Sequence, residues 1–443
     1  MSAKPSLRDL AARNRDLIVI TLAALVVRLA WNLAVHRPLD YAFSDMSAYM
    51  ERAQAGLSER AGYFTFFPWG THVMLGVVIR ALGAGNAVIG SLYALIGAGA
   101  VAYGFLLARR LTRSVGLARV VGGILVVYYP WIAVGGYVLS EPPFALCLTA
   151  SAYHGLLLAD RGRPRDAWLF GLWVAAAAAF RPQILLALPL YGLHWLVRRR
   201  AWRRITPRLA IMAAAPLVLV LGLSAARTRY HTGKLGLIST NGPLNFAFGR
   251  CHATKISSFV NNKRSGSYSP PSLNALSRYG SEHPDALFTL NPAMDTSLQF
   301  DGQMWDSKPI YWMASQCVRQ AGIGRQIEYA VTHVVMLWHY NVMWPDQNTK
   351  PPFKSLMEIS GTLHEIFVLP AALAAVALAF RRRNARIMLV GLHVIALLGV
   401  AVLYFGDTRL RAPYDGILVL LAAMAYASGY RLIRRRRARA AVT

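Results

Sequence analysis

The sequence predicts an all-α polytopic membrane protein with a bundle of about ten transmembrane helices, and three observations support this prediction. Hydrophobic residues make up 55% of the 443 residues and charged residues only 15%, whereas a soluble domain carries about 25% charged residues. The apolar residues form runs of about 15–25, long enough for a helix to cross the hydrocarbon core of a bilayer. The basic residues behind the net charge of +28 lie in short clusters between those runs.

The predicted spans alternate across the membrane in a way that keeps the basic clusters on one side. The spans are residues 17–36, 86–108, 115–133, 142–159, 166–180, 182–197, 209–226, 358–380, 386–405 and 412–430. With a cytoplasmic N-terminus every inner loop is rich in arginine, as the positive-inside tendency requires. The sequence therefore predicts a multi-pass protein of the inner cell membrane, with both termini cytoplasmic and basic loops that contact anionic membrane lipids.

Two other interpretations of these features are not favoured. The first apolar run has full membrane length and no small-residue cleavage site after it, so it is expected to be a retained helix and not a signal peptide. No basic patch is interleaved with stacking aromatic residues, so nucleic acid is not an expected partner.

The chain divides into three parts by composition. Residues 1–226 form an N-terminal transmembrane module whose first outer loop is 37–85, and residues 358–443 form a C-terminal module with a basic cytoplasmic tail. Between them, residues 227–357 are too long for a simple connector and predict a partly folded extracytoplasmic segment with helices on the outer face. Its first part, 232–250, has a β- and turn-like composition.

The three cysteines fall in two different environments. Cys147 lies within a predicted span, whereas Cys251 and Cys317 both lie in the outer segment. Oxidising conditions outside the cytoplasm permit a disulfide between the last two, and two free buried thiols are the alternative. No CxxC or Cys/His spacing indicates a zinc site.

Ionisable residues gather at the predicted outer ends of the spans and come from four separate connections. The residues concerned are Asp45, Glu141, Arg181, Arg409 and Arg411. Ionisable groups near the hydrocarbon are costly and tend to be functional. Because helix packing can bring separate outer loops together, the sequence predicts one outer-face site built from these side chains.

Each of these residues also has a plainer structural interpretation, which the sequence leaves open. Asp45 and Glu141 lie where helices begin, so each is also a candidate helix cap. Arg181 could extend to lipid phosphate groups. The closely spaced Arg409 and Arg411 suit a bound phosphate, because guanidinium groups bind phosphate oxygens well.

Two further residues of the first outer loop, Tyr49 and His72, complete the candidate substrate-binding set. Tyr49 follows Asp45 on a predicted interfacial helix, whereas Glu51 and Arg52 are expected on its solvated face. His72 is one of several outer histidines that are scattered in sequence, so packing or surface exposure is the alternative for it.

Several stretches together resemble the GT-C superfamily of integral-membrane glycosyltransferases, of the bacterial kind related to protein O-mannosyltransferases and to the aminoarabinose transferase of lipid A. The stretches cover most of the chain and are Ser44-Asp45-Met46 with Tyr49, SEPPFALCL (140–148), FRPQ (180–183), TGKLGLISTNGPLNFAFG (232–249), WHYNVMWPD (338–346) and TRLRAPYDGILVLLAA (408–423). One departure is that the protein O-mannosyltransferases carry an Asp-Glu pair in the first loop, whereas Met46 follows Asp45 here.

The resemblance implies transfer of a sugar from a polyprenyl-phosphate sugar to a lipid, glycan or protein acceptor at the outer face, with inversion. It implies that Asp45 is the general base, that Glu141 orients the acceptor or the sugar, and that arginines stabilise the departing phosphate. The arginines concerned are Arg181, Arg409 and Arg411. A divalent ion, Mg or Mn, shared by Asp45 and Glu141 is compatible with the sequence, but no spacing requires it.

Rival functions remain open on sequence alone. A transporter or flippase for a lipid-linked sugar also needs outer acids and arginines, but the long outer segment and the scarcity of charges within the spans, Arg28 apart, argue against it. A ligase of the O-antigen type, with a lipid-diphosphate donor, shares most of these requirements. An acyltransferase would need a nucleophile or a histidine site, which the scattered histidines do not favour.

Overall fold

The computed structural model describes residues 14–55, 62–200, 202–270, 272, 297–339, 343–346 and 352–440, and it confirms an all-α polytopic membrane protein. Residues 1–13 of the predicted cytoplasmic N-terminus, the last three residues of the basic tail and parts of the segment 227–357 lie outside the described residues.

The helices follow the apolar runs of the sequence. In the first module they are α1 (Arg15–Ala30), α2 (Asp45–Ala55), α3 (Gly70–Leu82), α4 (Asn86–Thr112), α5 (Val115–Val127), α6 (Tyr129–Val134), α7 (Glu141–Arg161), α8 (Pro164–Phe180), α9 (Ala187–Val197) and α10 (Pro207–Thr232). The segment 227–357 contributes α11 (Gly242–Cys251), β1 (Lys255–Val260), β2 (Lys263–Tyr268), β3 (Ser297–Asp301) and α12 (Ser307–Val335). The last module has α13 (Phe353–Leu363), α14 (Leu369–Arg381), α15 (Ala385–Leu403), α16 (Thr408–Arg411) and α17 (Asp415–Ala440).

Seven helical segments of the described residues are long and apolar enough to cross a membrane. They are Arg15–Val35, Asn86–Thr112, Glu141–Arg161, Pro207–Thr232, Phe353–Arg381, Ala385–Leu403 and Thr408–Arg434. The other three predicted spans also form helices, but shorter ones, because proline interrupts two of these regions. The run 115–133 is broken at Tyr128, just before Pro130, and Arg181 separates α8 from the turn that starts at Pro182.

The core lies where the longest helices approach each other closely. α7 is the most enclosed of the seven spans, with 83% of its apolar stretch buried, and it packs against α4 and α8. Gly171 lets α8 approach α10, since a Cβ there would lie 2.2 Å from the Ala213 carbonyl oxygen. Small residues allow such contacts between membrane helices. The start of α7 and the end of α8 lie close together, where Glu141 and Arg181 form an ion pair.

Arg28 is buried within the first span, and its contacts are those of a helix cap. Its Nη2 donates to the Leu125 carbonyl at 3.1 Å and its Nη1 to the Val126 carbonyl at 3.3 Å. Both carbonyls belong to the last turn of α5, which has no helical partners for them. Because no water is available inside a bilayer, the guanidinium supplies the hydrogen bonds that these carbonyls lack. The burial of Arg28 therefore needs no transport role to explain it.

The segment 227–357 forms a small α/β layer. Its sheet has the order β2-β1-β3, with β1 antiparallel to β2 and parallel to β3. The β- and turn-like prediction for 232–250 is wrong for its second half, where Gly242-Pro243 begins α11; proline is well tolerated in a first helical turn. A disulfide between Cys251 and Cys317 joins α11 to α12, and Cys147 is free and buried in α7.

Candidate active site

Asp45 begins α2, and its side chain reaches across the molecule. Its backbone position is set by Ser44, which has φ +52°, a left-handed conformation that is uncommon for a residue other than glycine. The Asp45 carboxylate accepts a hydrogen bond from Arg409 Nη1 at 2.9 Å and is 26% exposed. Asp45 therefore takes part in an interaction between distant elements, beyond what a local helix cap would require, and it keeps access to solvent.

Glu141 begins α7 and is buried, with only 1% of its side chain exposed. Pro142 and Pro143 follow it in the first helical turn, where proline costs no hydrogen bond. Its Oε1 accepts from Arg181 Nη1 at 2.5 Å and from Arg409 Nε, and its Oε2 accepts from the Ser140 hydroxyl at 3.3 Å. Glu141 is thus the buried anchor of two guanidinium groups.

Arg409 links the two carboxylates. It lies on the single-turn helix α16, which Asp407 caps by accepting from the Arg409 backbone N–H at 2.6 Å through its Oδ1. Its guanidinium also lies over the Trp344 ring, 4.4 Å from the centroid. A flat cation against an indole face is a favourable contact, and it holds the side chain between Asp45 and Glu141.

The ion network of Asp45, Glu141, Arg181 and Arg409 is balanced in charge. It contains two carboxylates and two guanidinium groups in direct contact. Buried charges are tolerated when they are paired and hydrogen-bonded in this way. The predicted convergence of these four residues at helix ends is therefore present in the structure, and their catalytic roles stay predictions.

Tyr49 lies in the same place, one turn after Asp45 on α2. It is 2% exposed and its ring packs on Phe67 at 5.0 Å between centroids. Burial, followed by the charges of Asp45 and Glu141, raises the pKa of Tyr49 to about 12. The phenol therefore stays neutral and can act as a hydrogen-bond donor beside the two acids.

A divalent ion shared by Asp45 and Glu141 does not fit this arrangement. Arg409 contacts both carboxylates, through Nη1 and Nε, so its guanidinium takes the position between them that such an ion would need. Within the described ranges, no group of three or more His, Cys, Asp or Glu side chains is placed to hold a metal. Arg409 thus supplies the positive charge between the two acids.

Arg411, predicted to hold phosphate with Arg409, faces a different environment. It is 2% exposed and its Nε lies 3.2 Å from Asp415 Oδ1. The reason is helical geometry, because residues two apart on a turn leave the helix in nearly opposite directions. The sequence prediction that both arginines enter one site is wrong for Arg411.

A second group of cations lies beside the ion network, and we call it the cationic cluster (Arg52, Arg227 and His72). Arg227 Nη2 lies 3.4 Å from His72 Nε2 and donates to the Phe64 carbonyl. Arg52 donates from Nε and Nη2 to the Tyr63 carbonyl at 3.2 and 2.9 Å. The expectation of a solvated face for Arg52 is wrong, since the guanidinium is folded against this loop and only 7% of the residue is exposed.

The cationic cluster, unlike the ion network, has no carboxylate partner among the residues that the structure describes. Its contacts are carbonyl oxygens, an imidazole and the Tyr63 and Phe67 rings, which the Arg52 guanidinium faces. Arg227 Nη1 has no hydrogen-bond partner within that part of the chain. Burial and the nearby Arg227 and Arg52 lower the pKa of His72 to about 3, so its ring is neutral. The cluster therefore carries two positive charges with no direct carboxylate contact among the described residues, and such largely buried cations favour binding of an anion.

The cationic cluster is linked to Asp45 through the helix α2, which carries both Asp45 and Arg52. Arg52 Nη1 donates to the Ala48 carbonyl at 2.9 Å, so its guanidinium folds back over the turn that begins at Asp45. Tyr268, at the end of β2, stacks on Phe66, and burial and Asp45 raise its pKa while Arg52 lowers it. Sequence analysis missed Arg227 and Tyr268, since only the fold of the segment 227–357 brings them to this place.

A small pocket, with room for about one water molecule, lies beside Glu141. Its walls come from α4, α6, α7 and the turn before α17, and apart from Glu141 they are apolar or small residues. These are Gly97, Ala100, Trp131, Val134, Pro142, Ala145, Ala412 and Pro413. Glu141 therefore borders a small apolar pocket as well as the ion network.

Comparisons with known proteins give similarity to solved structures and no match by sequence. No protein-family model and no curated protein sequence matches the chain. One similar structure is the archaeal oligosaccharyltransferase AglB from Archaeoglobus fulgidus, in complex with an inhibitory peptide and a dolichol-phosphate. It is 14% identical to this chain, with a TM-score of 0.47, and the match covers 98% of this chain and 52% of AglB. This chain therefore spans about half the length of that protein.

ArnT from Cupriavidus metallidurans is also similar. Its structure bound to undecaprenyl phosphate is 15% identical, with a TM-score of 0.40, and the match covers 93% of this chain and 77% of ArnT. Its apo structure has a TM-score of 0.39 at 15% identity, covering 94% and 78%. Because these three TM-scores are below 0.5, the functional proposal rests on the contacts of this chain's own residues.

Proposed function

We propose that the protein is an inverting glycosyltransferase that moves a sugar from a polyprenyl-phosphate donor to an acceptor at the extracytoplasmic face of the membrane. One observation carries the proposal. A partly exposed carboxylate, Asp45, begins the same helix, α2, whose Arg52 belongs to a largely buried cationic cluster with no direct carboxylate contact among the described residues, at the predicted outer end of a bundle of membrane helices. A base next to an anion site is what displacement of a phosphate by a hydroxyl group requires.

Asp45 is the acid best suited to act as the general base. Its side chain is 26% exposed, whereas Glu141 is 1% exposed and uses both oxygens on Arg181, Arg409 and Ser140. An acceptor hydroxyl can therefore approach Asp45. Arg409 holds this carboxylate in a fixed direction, which general-base catalysis needs.

The transfer is a single displacement. The acceptor oxygen attacks the anomeric carbon, the bond from that carbon to the phosphate oxygen breaks, and the acceptor proton passes to the Asp45 carboxylate. The electron pair leaves with polyprenyl phosphate, which needs positive charge nearby and no proton. Attack on the face opposite the phosphate inverts the anomeric centre.

We assign the departing phosphate to Arg52 and Arg227. The prediction from the resemblance used Arg181 and Arg409, but the carboxylates of Glu141 and Asp45 already neutralise those two. The cationic cluster keeps two charges and an unpaired donor, Arg227 Nη1, in the described part of the chain. Charge-assisted hydrogen bonds to phosphate are among the strongest in proteins, so this cluster is the better site.

Glu141 has a supporting part in this proposal. Its side chain is 1% exposed, and both of its oxygens accept hydrogen bonds from Arg181, Arg409 and Ser140. We propose that Glu141 serves as the anchor of Arg181 and Arg409, and that the prenyl chain of the donor lies in the hydrocarbon of the bilayer against the apolar helices.

The donor assignment is tested by binding of polyprenyl phosphate to protein in nanodiscs. Arg227→Gln removes one charge from the cationic cluster, and we expect about 10- to 100-fold weaker binding, because a hydrogen bond to a charged group contributes about 1.5–3 kcal/mol. Arg229→Gln is the matched control, since Arg229 is exposed on the same helix. Equal affinities for both variants would contradict the assignment of the phosphate.

The reaction itself is tested with a panel of radiolabelled polyprenyl-phosphate sugars and a membrane extract as the acceptor source. Transfer predicts free polyprenyl phosphate together with label in a new product. A flippase would bind the lipid and leave every donor intact. A ligase would accept only a lipid diphosphate, so a diphosphate donor belongs in the same panel.

A further inference from the structure

Arg409, the link between the two acids, lies on a helix of a single turn, α16. α16 continues through the short turn Ala412–Tyr414 into α17, so its direction relative to α17 is set at that turn. Asp407 caps its start, where its Oδ1 accepts from the Arg409 backbone N–H. The direction of the Arg409 side chain therefore depends on what holds the other end of α16.

The other end of α16 is held by a buried polar group that the proposed reaction does not use. We call it the α16 anchor (Arg411, Asp415, Tyr128 and His364). Arg411 Nε lies 3.2 Å from Asp415 Oδ1, and the Tyr128 hydroxyl donates to Asp415 Oδ2 at 2.9 Å. His364 Nδ1 lies 2.6 Å from the same hydroxyl, and its Nε2 lies 3.8 Å from Asp415.

One proton arrangement accounts for both contacts of the Tyr128 hydroxyl. Tyr128 has one proton, which it gives to Asp415, so the short contact to His364 requires Nδ1–H of the imidazole to donate to the phenol oxygen. The carboxylate then faces Arg411 on one oxygen and Tyr128 on the other. Asp415 and His364 are fully buried, and Arg411 is 2% exposed.

Each member of the α16 anchor lies at an irregular point of the backbone. Tyr128 separates α5 from α6, His364 starts a π-helical turn between α13 and α14, and Arg411 and Asp415 flank the turn Ala412–Tyr414. The contacts therefore tie three separate helix breaks to one short helix. Breaks of this kind leave backbone N–H and C=O groups that need hydrogen-bond partners inside the bundle. Each break therefore costs stability unless such partners are present.

We infer that Tyr128, His364 and Asp415 are positioning residues that fix α16 through Arg411, so that Arg409 contacts Asp45 and Glu141 at once. Arg411 and Arg409 leave the same turn in opposite directions, so fixing one side chain orients the other. The inference rests on the proposed function, because the position of Arg409 matters only if Asp45 is the base. A displacement of about 1 Å in a catalytic group can cost about 100-fold in rate.

The test compares two variants, each of which removes one tyrosine hydroxyl. Tyr128→Phe removes the hydroxyl between His364 and Asp415, whereas Tyr414→Phe removes a buried hydroxyl with no hydrogen-bond partner in the described residues, from the turn that Arg411 and Asp415 flank. We expect kcat to fall about 10-fold in Tyr128→Phe, the loss of about one hydrogen bond, with KM nearly unchanged. Tyr414→Phe should match the wild type in both.

A double-mutant cycle separates positioning from general loss of structure. Tyr128→Phe should slow an Arg409→Lys protein much less than it slows the wild type, because the group being positioned is already altered. An equal fold-loss in both backgrounds would overturn the inference.

Hydrogen exchange at residues 407–411 gives a readout that needs no activity. Faster exchange in Tyr128→Phe than in Tyr414→Phe is expected. Unchanged exchange would overturn the inference, whereas absence of sugar transfer by the wild type would count against the proposed function.

Discussion

At the scale of single residues, exposure distinguishes acids that look alike in sequence. Asp45 and Glu141 both begin helices and both contact Arg409. Only Asp45 keeps solvent access, because two guanidinium groups and Ser140 enclose Glu141. The sequence predicted both as site residues from their place at helix ends, but it could not say which would be enclosed, since the arginines come from distant parts of the chain.

Arg411 and Arg52 show the limits of sequence reasoning at this scale. Closely spaced arginines on one short turn look equivalent, yet the helix sends Arg409 and Arg411 to different partners. Arg52 looks like a surface residue until the loop at Tyr63 and Phe64 folds over it. Burial by a segment that is distant or irregular leaves no periodic signal in the sequence.

A buried acid near Trp344 gives a pH-dependent prediction. Burial raises the pKa of Asp346 from 3.8 to about 6, although it accepts a hydrogen bond from Tyr137 at 2.5 Å. A raised pKa in the folded state means that this residue favours folding most below pH 3.8, and that this contribution is lost as the pH rises through about 6. The shift corresponds to about 3 kcal/mol.

Asp346→Asn should therefore remove this dependence. The asparagine side chain is not ionisable and its amide oxygen can still accept from Tyr137, so the variant should melt at a higher temperature than the wild type at about pH 8 and gain nothing at about pH 4. Differential scanning fluorimetry across this range measures the melting temperatures. Parallel pH profiles for the two proteins would show that Asp346 does not titrate in this way.

At the scale of elements, apolar runs predicted the helices and proline set their interruptions. The run 115–133 reads as one span, but Pro130 and the turn at Tyr128 divide it. The outer α/β layer was the least predictable element, because its strands pair residues far apart in sequence. For example, β1 pairs in parallel with β3, although β2 and the residues up to 296 separate the two strands in the sequence.

The disulfide between α11 and α12 should stabilise this outer layer. It closes a loop with a sequence separation of 66, for which chain entropy gives about 4 kcal/mol. Replacing both Cys251 and Cys317 by alanine should lower the melting temperature clearly, whereas Cys147→Ala, which removes a free buried thiol, should have a smaller effect. If the double variant melts at the same temperature as Cys147→Ala, the disulfide contributes little to stability.

At the scale of the whole molecule, charge placement predicts orientation. The fold puts the hairpin β1–β2 and the ion network at one end of the bundle. Arginine-rich loops such as 161–165 lie at the span ends that the positive-inside tendency predicts to be cytoplasmic. Apolar run length and basic clusters are properties of the bilayer environment, so they can be read without knowing any tertiary contact. The site depends on tertiary contacts and could be predicted only in part.

Cysteine labelling tests this orientation directly. In a Cys147→Ala background, a cysteine introduced at Lys263 in the hairpin should react with a membrane-impermeant maleimide in intact cells or spheroplasts. A cysteine introduced at Arg165, exposed at the start of α8, should react only after the membrane is opened. The reverse pattern would place the proposed site in the cytoplasm, on the wrong side of the membrane for the proposed reaction.

The central claim is that Asp45 removes the acceptor proton, and single-turnover transfer from a polyprenyl-phosphate sugar tests it most directly. Asp45→Asn keeps the shape and loses the base, so the transfer rate should fall about 100- to 10,000-fold while polyprenyl phosphate still binds. Asp40→Asn is the matched control, an exposed acid of the same loop paired with Arg37, and should transfer at the wild-type rate. Transfer by Asp45→Asn at the rate of Asp40→Asn would contradict the claim.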